Sequence, residues 1–139
     1  MKMRDPRPQF SDLVRNLNGI GLAYLHVVES RISGSETIEA RAEQSDFLVD
    51  IWDNSRLVIL AGGFNALSAE EAVKQYPNQK VAVAFGRHFL ANPDLPFRIA
   101  ENIPFNDYNR STFYIPKTTT GYTDYPFSEE FQRRTIASA

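Results

Sequence analysis

The sequence has no cysteine and no long apolar run, and these two absences exclude several classes of protein. Without cysteine, the 139 residues can form no disulfide, no thiolate zinc site and no cysteine nucleophile. No run of 18 apolar residues occurs, so no segment is predicted to span a bilayer. The polar residues 1–6 lack the apolar core of a signal peptide. These features predict a cytoplasmic protein.

Neither positive nor negative charge is in large excess. The 15 basic and 17 acidic side chains give a formal net charge of -2, and no basic cluster provides an electrostatic footprint for nucleic acid. The hydrophobic fraction of 42% is ordinary for a globular chain, so we expect one domain over residues 1–139. That length excludes a complete (β/α)₈ barrel, which needs about 250 residues.

Hydrophobic periodicity predicts alternating helices and strands. Apolar residues at positions 10, 13, 14 and 17 mark one stripe of a helix, which the glycines at 19 and 21 end. Continuous apolar runs predict buried strands at 22–28, 57–61 and 81–85. Two further helices are predicted to begin at Ser45 and at Ser68, and Glu71 completes a capping box with Ser68. Short helical segments are predicted at 88–91 and 94–100.

This alternation is typical of an α/β protein with a parallel sheet and right-handed crossovers. Residues 29–44 are polar and predict a loop, and residues 104–139 predict an extended tail. Three parallel strands leave two unpaired edges, so the sequence is interpreted as part of a larger α/β structure.

Two predicted strands end in glycine, as Gly62-Gly63 and as Gly86-Arg87. Ligands of parallel α/β proteins bind at the carboxyl ends of the strands. Glycine lets a phosphate approach the backbone N–H groups, and an arginine fork suits a phosphate dianion. The alternative is that both segments are only tight strand-to-helix turns, and spacing by itself leaves the two possibilities open.

Longer segments resemble the old yellow enzyme family, the FMN-dependent ene-reductases. Residues 86–96, GRHFLANPDLP, are similar to the segment after the family's seventh strand. Residues 108–114 and 121–126 resemble its C-terminal tail, closest to plant and fungal members, and residues 22–29 and 60–64 resemble strands six and seven. The resemblance implies the C-terminal part of a TIM (β/α)₈ barrel, with βα units over 1–103 and a tail over 104–139.

The resemblance also implies a cofactor site. Gly62 and Gly63 match one turn that holds the FMN phosphate, and Gly86 and Arg87 match the next turn and its phosphate-binding arginine. Phe113 and Tyr114 match the pair near the dimethylbenzene edge of the flavin. In the intact family, NAD(P)H supplies the hydride and activated alkenes such as enones and enals accept it.

The departures from the family concern whole units. The family's first five βα units have no counterpart in this sequence. The residue pair that binds the substrate carbonyl and the proton-donating tyrosine are therefore absent as well. We therefore assign no catalytic and no metal-binding residue. The expectation is a C-terminal fragment that supplies the FMN-phosphate half of the site, with a separate N-terminal half or a second copy as partner. The alternative is a non-catalytic homologue that acts as an association or ligand-binding module.

Other conspicuous residues have plainer explanations. His26 lies in an apolar strand and is expected to be a hydrogen-bonded core histidine, and Trp52 fits a helix stripe and is expected in the core. His88 either approaches a phosphate or caps its turn. The tyrosines of the tail are expected mostly to pack, at positions 108, 122 and 125.

Overall fold

A computed structural model describes residues 4–29, 32–33, 36–37 and 46–137. At 32–33 and 36–37 it describes the backbone alone. The chain forms two compact units, residues 1–84 and residues 85–139. In the described part of the chain, no helix is both long and apolar enough to cross a membrane.

The first unit contains the regular α/β part. Its elements are α1 (Arg7–Asn18), β1 (Tyr24–Val28), β2 (Ile32–Ser33), β3 (Glu36–Thr37), α2 (Asp46–Ile51), β4 (Leu57–Ala61), α3 (Ala66–Gln75) and β5 (Lys80–Ala84). The main sheet has the order β1-β4-β5, and both strand pairs are parallel. The predicted parallel sheet is confirmed, and each strand lies within two residues of its predicted start.

The predicted loop over 29–44 was wrong in its described part. The strands β2 and β3 form an antiparallel pair there, with Ile32 opposite Thr37 and Ser33 opposite Glu36. Strands of two residues are too short to produce a periodic pattern, so the sequence carries no signal for them. Residues 30–31, 34–35 and 38–44 of that prediction lie outside the described residues.

The core of the first unit lies on one face of the sheet. Val27, Val58 and Leu60 are buried on that face, and helices α1 and α2 contribute Val14 and Val49. Successive strand residues point to opposite faces, so the neighbours of these residues lie on the other face. The core thus forms where sheet and helices meet.

Two predictions about single residues had opposite outcomes. Trp52 is buried, as expected, and the Arg56 guanidinium lies 4.7 Å from the centroid of its ring. The prediction for His26 was wrong, because its side chain is exposed. His26 precedes the buried Val27 on an edge strand, and alternation therefore turns it to the uncovered face.

The end of α1 is tied to the α2–β4 connection by side chains. The Asn18 Nδ2 group donates to the carbonyl of Ile51 at 2.8 Å, and its Oδ1 accepts the N–H of Asp53 at 3.1 Å. Arg56 donates to the carbonyls of Asn18, at 3.0 Å, and Leu22, at 3.2 Å. These bonds satisfy the last carbonyls of α1 and α2 and one carbonyl after α1, and they tie the end of α1 to the unit.

Helix α3 begins earlier than predicted. Asn65 is its N-cap: the Asn65 Oδ1 accepts the N–H of Ser68 at 2.9 Å, and the Ser68 Oγ accepts the N–H of Asn65 at 3.0 Å. The predicted capping box from Ser68 to Glu71 was wrong, because Ser68 is the third helical residue of this box. Both residue types cap helices well, and the glycines before Asn65 decide where the helix can start.

The second unit has short helices and a long connecting segment. Its elements are α4 (Arg87–Ala91), α5 (Leu95–Ala100), a 3₁₀ turn (Arg110–Thr112) and α6 (Glu129–Ala137). Helices α4 and α5 confirm the two predicted short pieces. The prediction of an extended tail was wrong for α6, whose Phe131 packs edge-on against Phe97 at 5.3 Å and stacks on Phe127 at 5.2 Å. Helix α6 therefore forms against α5.

A buried ion pair holds the second unit together. The Asp94 Oδ1 accepts the Arg98 Nε–H at 2.7 Å, and both side chains are at least 95% buried. The Asp94 Oδ2 accepts the N–H of Ser128 at 2.8 Å and its hydroxyl at 2.6 Å. Arg98 also donates to the carbonyl of Pro104 at 2.6 Å. One carboxylate thus links α5, the segment after it and the start of α6.

Two asparagines extend this network. Asn92 is fully buried; its Nδ2 donates to the carbonyls of His88, at 2.8 Å, and Asn106, at 3.2 Å, and its Oδ1 accepts the N–H of Asn106 at 2.6 Å. The Asn106 Nδ2 donates in turn to the carbonyl of Ala91 at 2.9 Å. These bonds fix the chain around residue 106 against α4.

We predict that Asp94→Asn lowers the unfolding free energy by about 3 kcal/mol, because removing one partner leaves the buried Arg98 charge uncompensated. The measurement is a urea titration followed by circular dichroism. Glu129→Gln is the matched control, since it breaks an exposed ion pair with Arg133 at the same i, i+4 spacing. We expect that control to change the free energy by less than about 1 kcal/mol. Equal effects of the two variants would contradict the prediction.

The same carboxylate predicts a dependence on pH. Burial alone would raise the pKa of Asp94, but hydrogen bonds from Ser128 and Arg98 outweigh it and hold the pKa below its ordinary value. A lowered pKa contributes stability that is present above the unfolded value of about 4 and is lost as pH falls through the folded value. Urea titrations at decreasing pH below about 4 should show this loss in the wild-type chain and a smaller loss in Asp94→Asn. Parallel curves would refute this assignment.

The N-cap of α3 gives a third prediction. Asn65→Ala should lower the unfolding free energy by about 1 kcal/mol, because the N–H of Ser68 loses its acceptor. Asn78→Ala is the control, because Asn78 is an exposed asparagine outside any helix. A thermal melt of the three proteins tests the difference, and an unchanged Asn65→Ala melt would show that the cap adds nothing.

Candidate functional site

The turn after β4 has a backbone that requires glycine. Gly62 and Gly63 have φ angles of 123° and 62°, in the region that residues with a Cβ rarely adopt. Phe64 follows them and is buried, which anchors the turn below the start of α3. The turn can bring backbone N–H groups close to a ligand, since neither glycine has a side chain to block the approach.

The turn after β5 is open for a different reason. Gly86 has a φ of -96°, and its carbonyl accepts the N–H groups of Phe89, at 2.9 Å, and Leu90, at 3.2 Å. A Cβ added at Gly86 would meet no atom within 4 Å. No contact within the described chain therefore demands glycine here, and the space beside the backbone is wide enough for a ligand to approach.

A chain of ring contacts, termed here the aromatic cluster, lies in the second unit. It consists of His88, Phe105, Tyr108, Phe113 and Tyr114. The His88 ring lies 5.2 Å from Phe105 and 5.3 Å from Tyr108. Tyr108 stacks on Phe113 at 5.9 Å, and Phe113 meets Tyr114 edge-on at 6.3 Å. The five rings thus form one continuous series of contacts.

Arg87 contacts the aromatic cluster. Its guanidinium carbon lies 6.0 Å from the centroid of the Tyr108 ring, within the range of a cation–π contact. Tyr108 therefore contacts both Arg87 and Phe113. The fold brings a forked cation to the middle ring of the aromatic cluster, although 26 positions separate Arg87 from Phe113 in the sequence.

The pKa of His88 lies below its ordinary value. Burial lowers its pKa, the positive charge of Arg87 lowers it further, and Asp107 opposes both to a smaller extent. Its Nδ1 is buried and has no hydrogen-bond partner among the described residues. Burial and the Arg87 charge both disfavour the charged imidazolium, which is the form that would attract a phosphate. In this structure His88 packs as a ring between Phe105 and Tyr108.

The segment that carries Phe113 and Tyr114 is fixed by two tyrosine hydroxyls. Tyr114 has a φ of 61° and its side chain is 90% exposed. The Tyr122 hydroxyl accepts the N–H of Tyr114 at 2.9 Å, and the Tyr125 hydroxyl accepts the N–H of Asn109 at 2.9 Å. The prediction that these tyrosines mostly pack omitted the hydrogen bonds through which they hold the backbone.

The predicted site residues fall into two groups. Gly62 and Gly63 belong to the first unit, and the other four belong to the second unit: Gly86, Arg87, Phe113 and Tyr114. Tyr108 contacts two members of the second group, Arg87 and Phe113, and was not identified from the sequence as a functional candidate. It stands beside the predicted residues only in space, so no spacing pattern could have identified it.

Comparison with known proteins gives the family. The NADH:flavin oxidoreductase / NADH oxidase family matches residues 10–106. Chanoclavine-I aldehyde reductase of Penicillium roqueforti is 47% identical over 140 residues, which cover 100% of this chain and 38% of that protein. A probable inactive reductase of Epichloe festucae var. lolii is 43% identical over 93% of this chain and 35% of its own. The chain thus spans little more than a third of these relatives.

Solved structures agree with the sequence comparison. Morphinone reductase in complex with tetrahydroNAD matches with a TM-score of 0.73 and 32% identity, over 94% of this chain and 32% of its own. A variant of NCR from Zymomonas mobilis matches with a TM-score of 0.70 and 26% identity, over 91% of this chain and 40% of its own. These neighbours are TIM-barrel enzymes, so the expected fold class is confirmed: the chain is an α/β part of such a barrel.

The family binds FMN and takes its hydride from NAD(P)H, which confirms the cofactors that the resemblance implied. The family match covers well over half of the chain and includes the three-stranded sheet and both glycine turns. This chain belongs to the NADH:flavin oxidoreductase / NADH oxidase family, the old yellow enzymes.

Proposed function

We propose that this chain is the FMN-phosphate half-site of an old yellow enzyme-type reductase, which reduces activated alkenes such as enones and enals with NAD(P)H. The observation that carries the proposal is the contact of Arg87 with Tyr108, which also stacks on Phe113. A phosphorylated aromatic cofactor needs both a cation and an aromatic surface, and this arrangement offers both within one unit.

Each proposed site residue has a distinct role. By the family resemblance, the N–H groups of Gly62, Gly63 and Gly86 would donate to phosphate oxygens, and the Arg87 guanidinium would form a charge-assisted fork with a phosphate dianion. Phe113 and Tyr114 would lie against the dimethylbenzene edge of the flavin. The backbones fit these roles, since Gly62 and Gly63 have positive φ angles and Gly86 has open space in place of a side chain.

The redox chemistry would belong to the cofactor. FMN held by the glycine turns and Arg87 would supply the hydride-transfer chemistry between NAD(P)H and the alkene, while the protein would supply binding and orientation. In this chain the rigid element is the segment ending at Tyr114, which the Tyr122 hydroxyl fixes through the Tyr114 N–H. The residues described here bind and orient; none is proposed to move a proton.

The half-site needs the other part of a barrel for catalysis. We propose that residues 1–139 form one partial-barrel domain, with βα units over 1–103 and a tail over 104–139. The substrate-binding pair and the proton donor would come from a separate N-terminal half. Association through the exposed sheet edges, with that half or with a second copy, would complete the site.

A second candidate is a non-catalytic homologue that acts as an association or ligand-binding module. One observation favours it: the Epichloe festucae relative, 43% identical, is named a probable inactive reductase. The glycine turns and Arg87 would serve such a module equally well, because phosphate binding needs no proton donor.

We predict that FMN binds the chain saturably and that Arg87→Ala weakens binding about 10- to 150-fold, the range for one charge-assisted hydrogen bond. Quenching of flavin fluorescence measures the affinity. Arg133→Ala is the matched control, because this arginine lies exposed on α6 and pairs only on the surface with Glu129. Equal affinities for all three proteins would contradict the assignment of Arg87. Absence of FMN binding by a chain that melts cooperatively would overturn the half-site.

We also predict that the chain with FMN does not turn over an enone by itself, since we assign it no substrate-binding pair and no proton donor. The measurement follows NADH and NADPH absorbance with an enone under anaerobic conditions. A full-length old yellow enzyme is the positive control. Turnover by the 139 residues alone would refute the half-site proposal and show that the chain contains a complete catalytic set.

A further inference from the structure

Asn18 is followed directly by Gly19, and this is the dipeptide at which asparagine loses its side-chain amide most readily. In that reaction, deamidation, the backbone nitrogen of the next residue attacks the side-chain amide carbon. Glycine presents its nitrogen without a side chain that would block the approach. No other asparagine in the sequence precedes a glycine. Asn18 is therefore the position at which this chemistry is fastest in the unfolded chain.

In the folded chain, the side-chain amide of Asn18 is engaged on both sides. Its Nδ2 group donates to the carbonyl of Ile51 at 2.8 Å, and its Oδ1 accepts the N–H of Asp53 at 3.1 Å. The amide carbon lies between these two atoms, so both hydrogen bonds hold it against the connection between α2 and β4. Nδ2 is also the group that leaves in deamidation. The reaction therefore consumes the donor that ties α1 to α2.

The attacking nitrogen is held as well. The N–H of Gly19 donates to the carbonyl of Asn16 at 3.1 Å. Asn18 is the last residue of α1, and closing the five-membered ring needs a ψ angle well outside the helical value of about -42°. Reaction thus requires that the last turn of α1 opens and that the Asn18 side chain leaves its partners.

Arg56 keeps this end of α1 closed. Its guanidinium donates to the carbonyls of Asn18, at 3.0 Å, and Leu22, at 3.2 Å, so it holds the chain on both sides of Gly19. Asp53 accepts the Arg56 Nε–H at 3.0 Å and fixes the orientation of the guanidinium. These contacts can break while the parallel sheet stays paired, because the ends of elements open at a lower free energy than core strands do.

We propose that Asn18 is a deamidation site whose rate is set by local opening at the end of α1, and that the product keeps this end open. The Gly19 nitrogen forms a bond to the Asn18 Cγ, and Nδ2 leaves as ammonia with the proton that the Gly19 nitrogen loses. Water then opens the resulting succinimide ring to aspartate or isoaspartate. Neither product keeps the Nδ2 donor, so the carbonyl of Ile51 loses its partner and a new carboxylate lies at the end of α1. All of these residues belong to the first unit, so the modification is independent of the proposed cofactor function.

The test follows conversion of Asn18 over time by mass spectrometry of the digested chain, after incubation in mildly alkaline buffer with and without guanidinium chloride. The native chain should react more than about 10-fold more slowly than the unfolded chain, because several hydrogen bonds must break first. Asn16 is the internal control, since it is exposed on the same helix and is followed by leucine. Gly19→Ala should slow the reaction of the unfolded chain, and its Cβ would meet the Asn16 carbonyl oxygen at 3.3 Å, a contact that a small shift relieves.

A second arm tests the local opening. Arg56→Ala should speed deamidation of the native chain about 10-fold and leave the rate in guanidinium chloride unchanged. Arg56→Lys is the milder variant and should give an intermediate rate, because one ammonium replaces the fork. Asn65→Ala is the matched control: it removes the N-cap of α3 in the same unit and touches no partner of Asn18, so the native rate should stay at the wild-type value.

Each outcome decides the proposal. Equal rates in the native and the unfolded chain, or a native rate that neither Arg56 variant changes, would overturn it. Acceleration by Asn65→Ala as large as that by Arg56→Ala would assign the reaction to global unfolding and overturn the local opening. Asn18→Asp stands for the aspartate product, and a thermal melt of this variant at or above the wild-type temperature would show that the product does not keep α1 open.

Discussion

Parallel pairing of β4 with a strand on each side is the constraint on which the first unit depends. Val28, Ala61 and Ala84 are partners in register, so the three strands end at one edge of the sheet. Gly62 follows Ala61 directly, and positive φ angles turn the chain back there toward α3. Among the described strands, β1 has a partner on one side only. The position of the candidate ligand turn thus follows from this hydrogen-bonding pattern.

In the second unit a buried carboxylate has the corresponding role. Asp94 accepts hydrogen bonds from Arg98 and Ser128, and Arg98 donates to Pro104, so chain segments distant in sequence meet at one side chain. Helix propensity could not hold elements of five or six residues, because helices that short are marginal in water. The ordered tail, and with it the placement of the aromatic cluster, therefore depends on side-chain hydrogen bonds.

The family assignment gives these features a common interpretation. The chain covers about a third of its relatives and of the matching barrels, and its apolar α1 stripe and β1 edge are only partly covered. A closed barrel buries both faces of every strand, so strands that are apolar on both faces are ordinary in the fold of these relatives. The proposed cofactor residues lie at strand ends, which is where parallel α/β barrels bind their ligands.

The sequence by itself determined the parallel α/β class, the three main strands, the glycine turns and the resemblance to a flavin-dependent family. Each of these is written in local order: apolar runs of strand length, glycines directly after them, and a motif such as residues 86–96. The i, i+4 spacing of Asp94 and Arg98 was also visible there, although it could not show that the pair is buried. Only the tertiary structure decided that His26 is exposed on an edge strand and that α6 packs through Phe131. It alone showed that Tyr108 links Arg87 to Phe113, because contacts between residues far apart in the chain leave no periodic signal in the sequence.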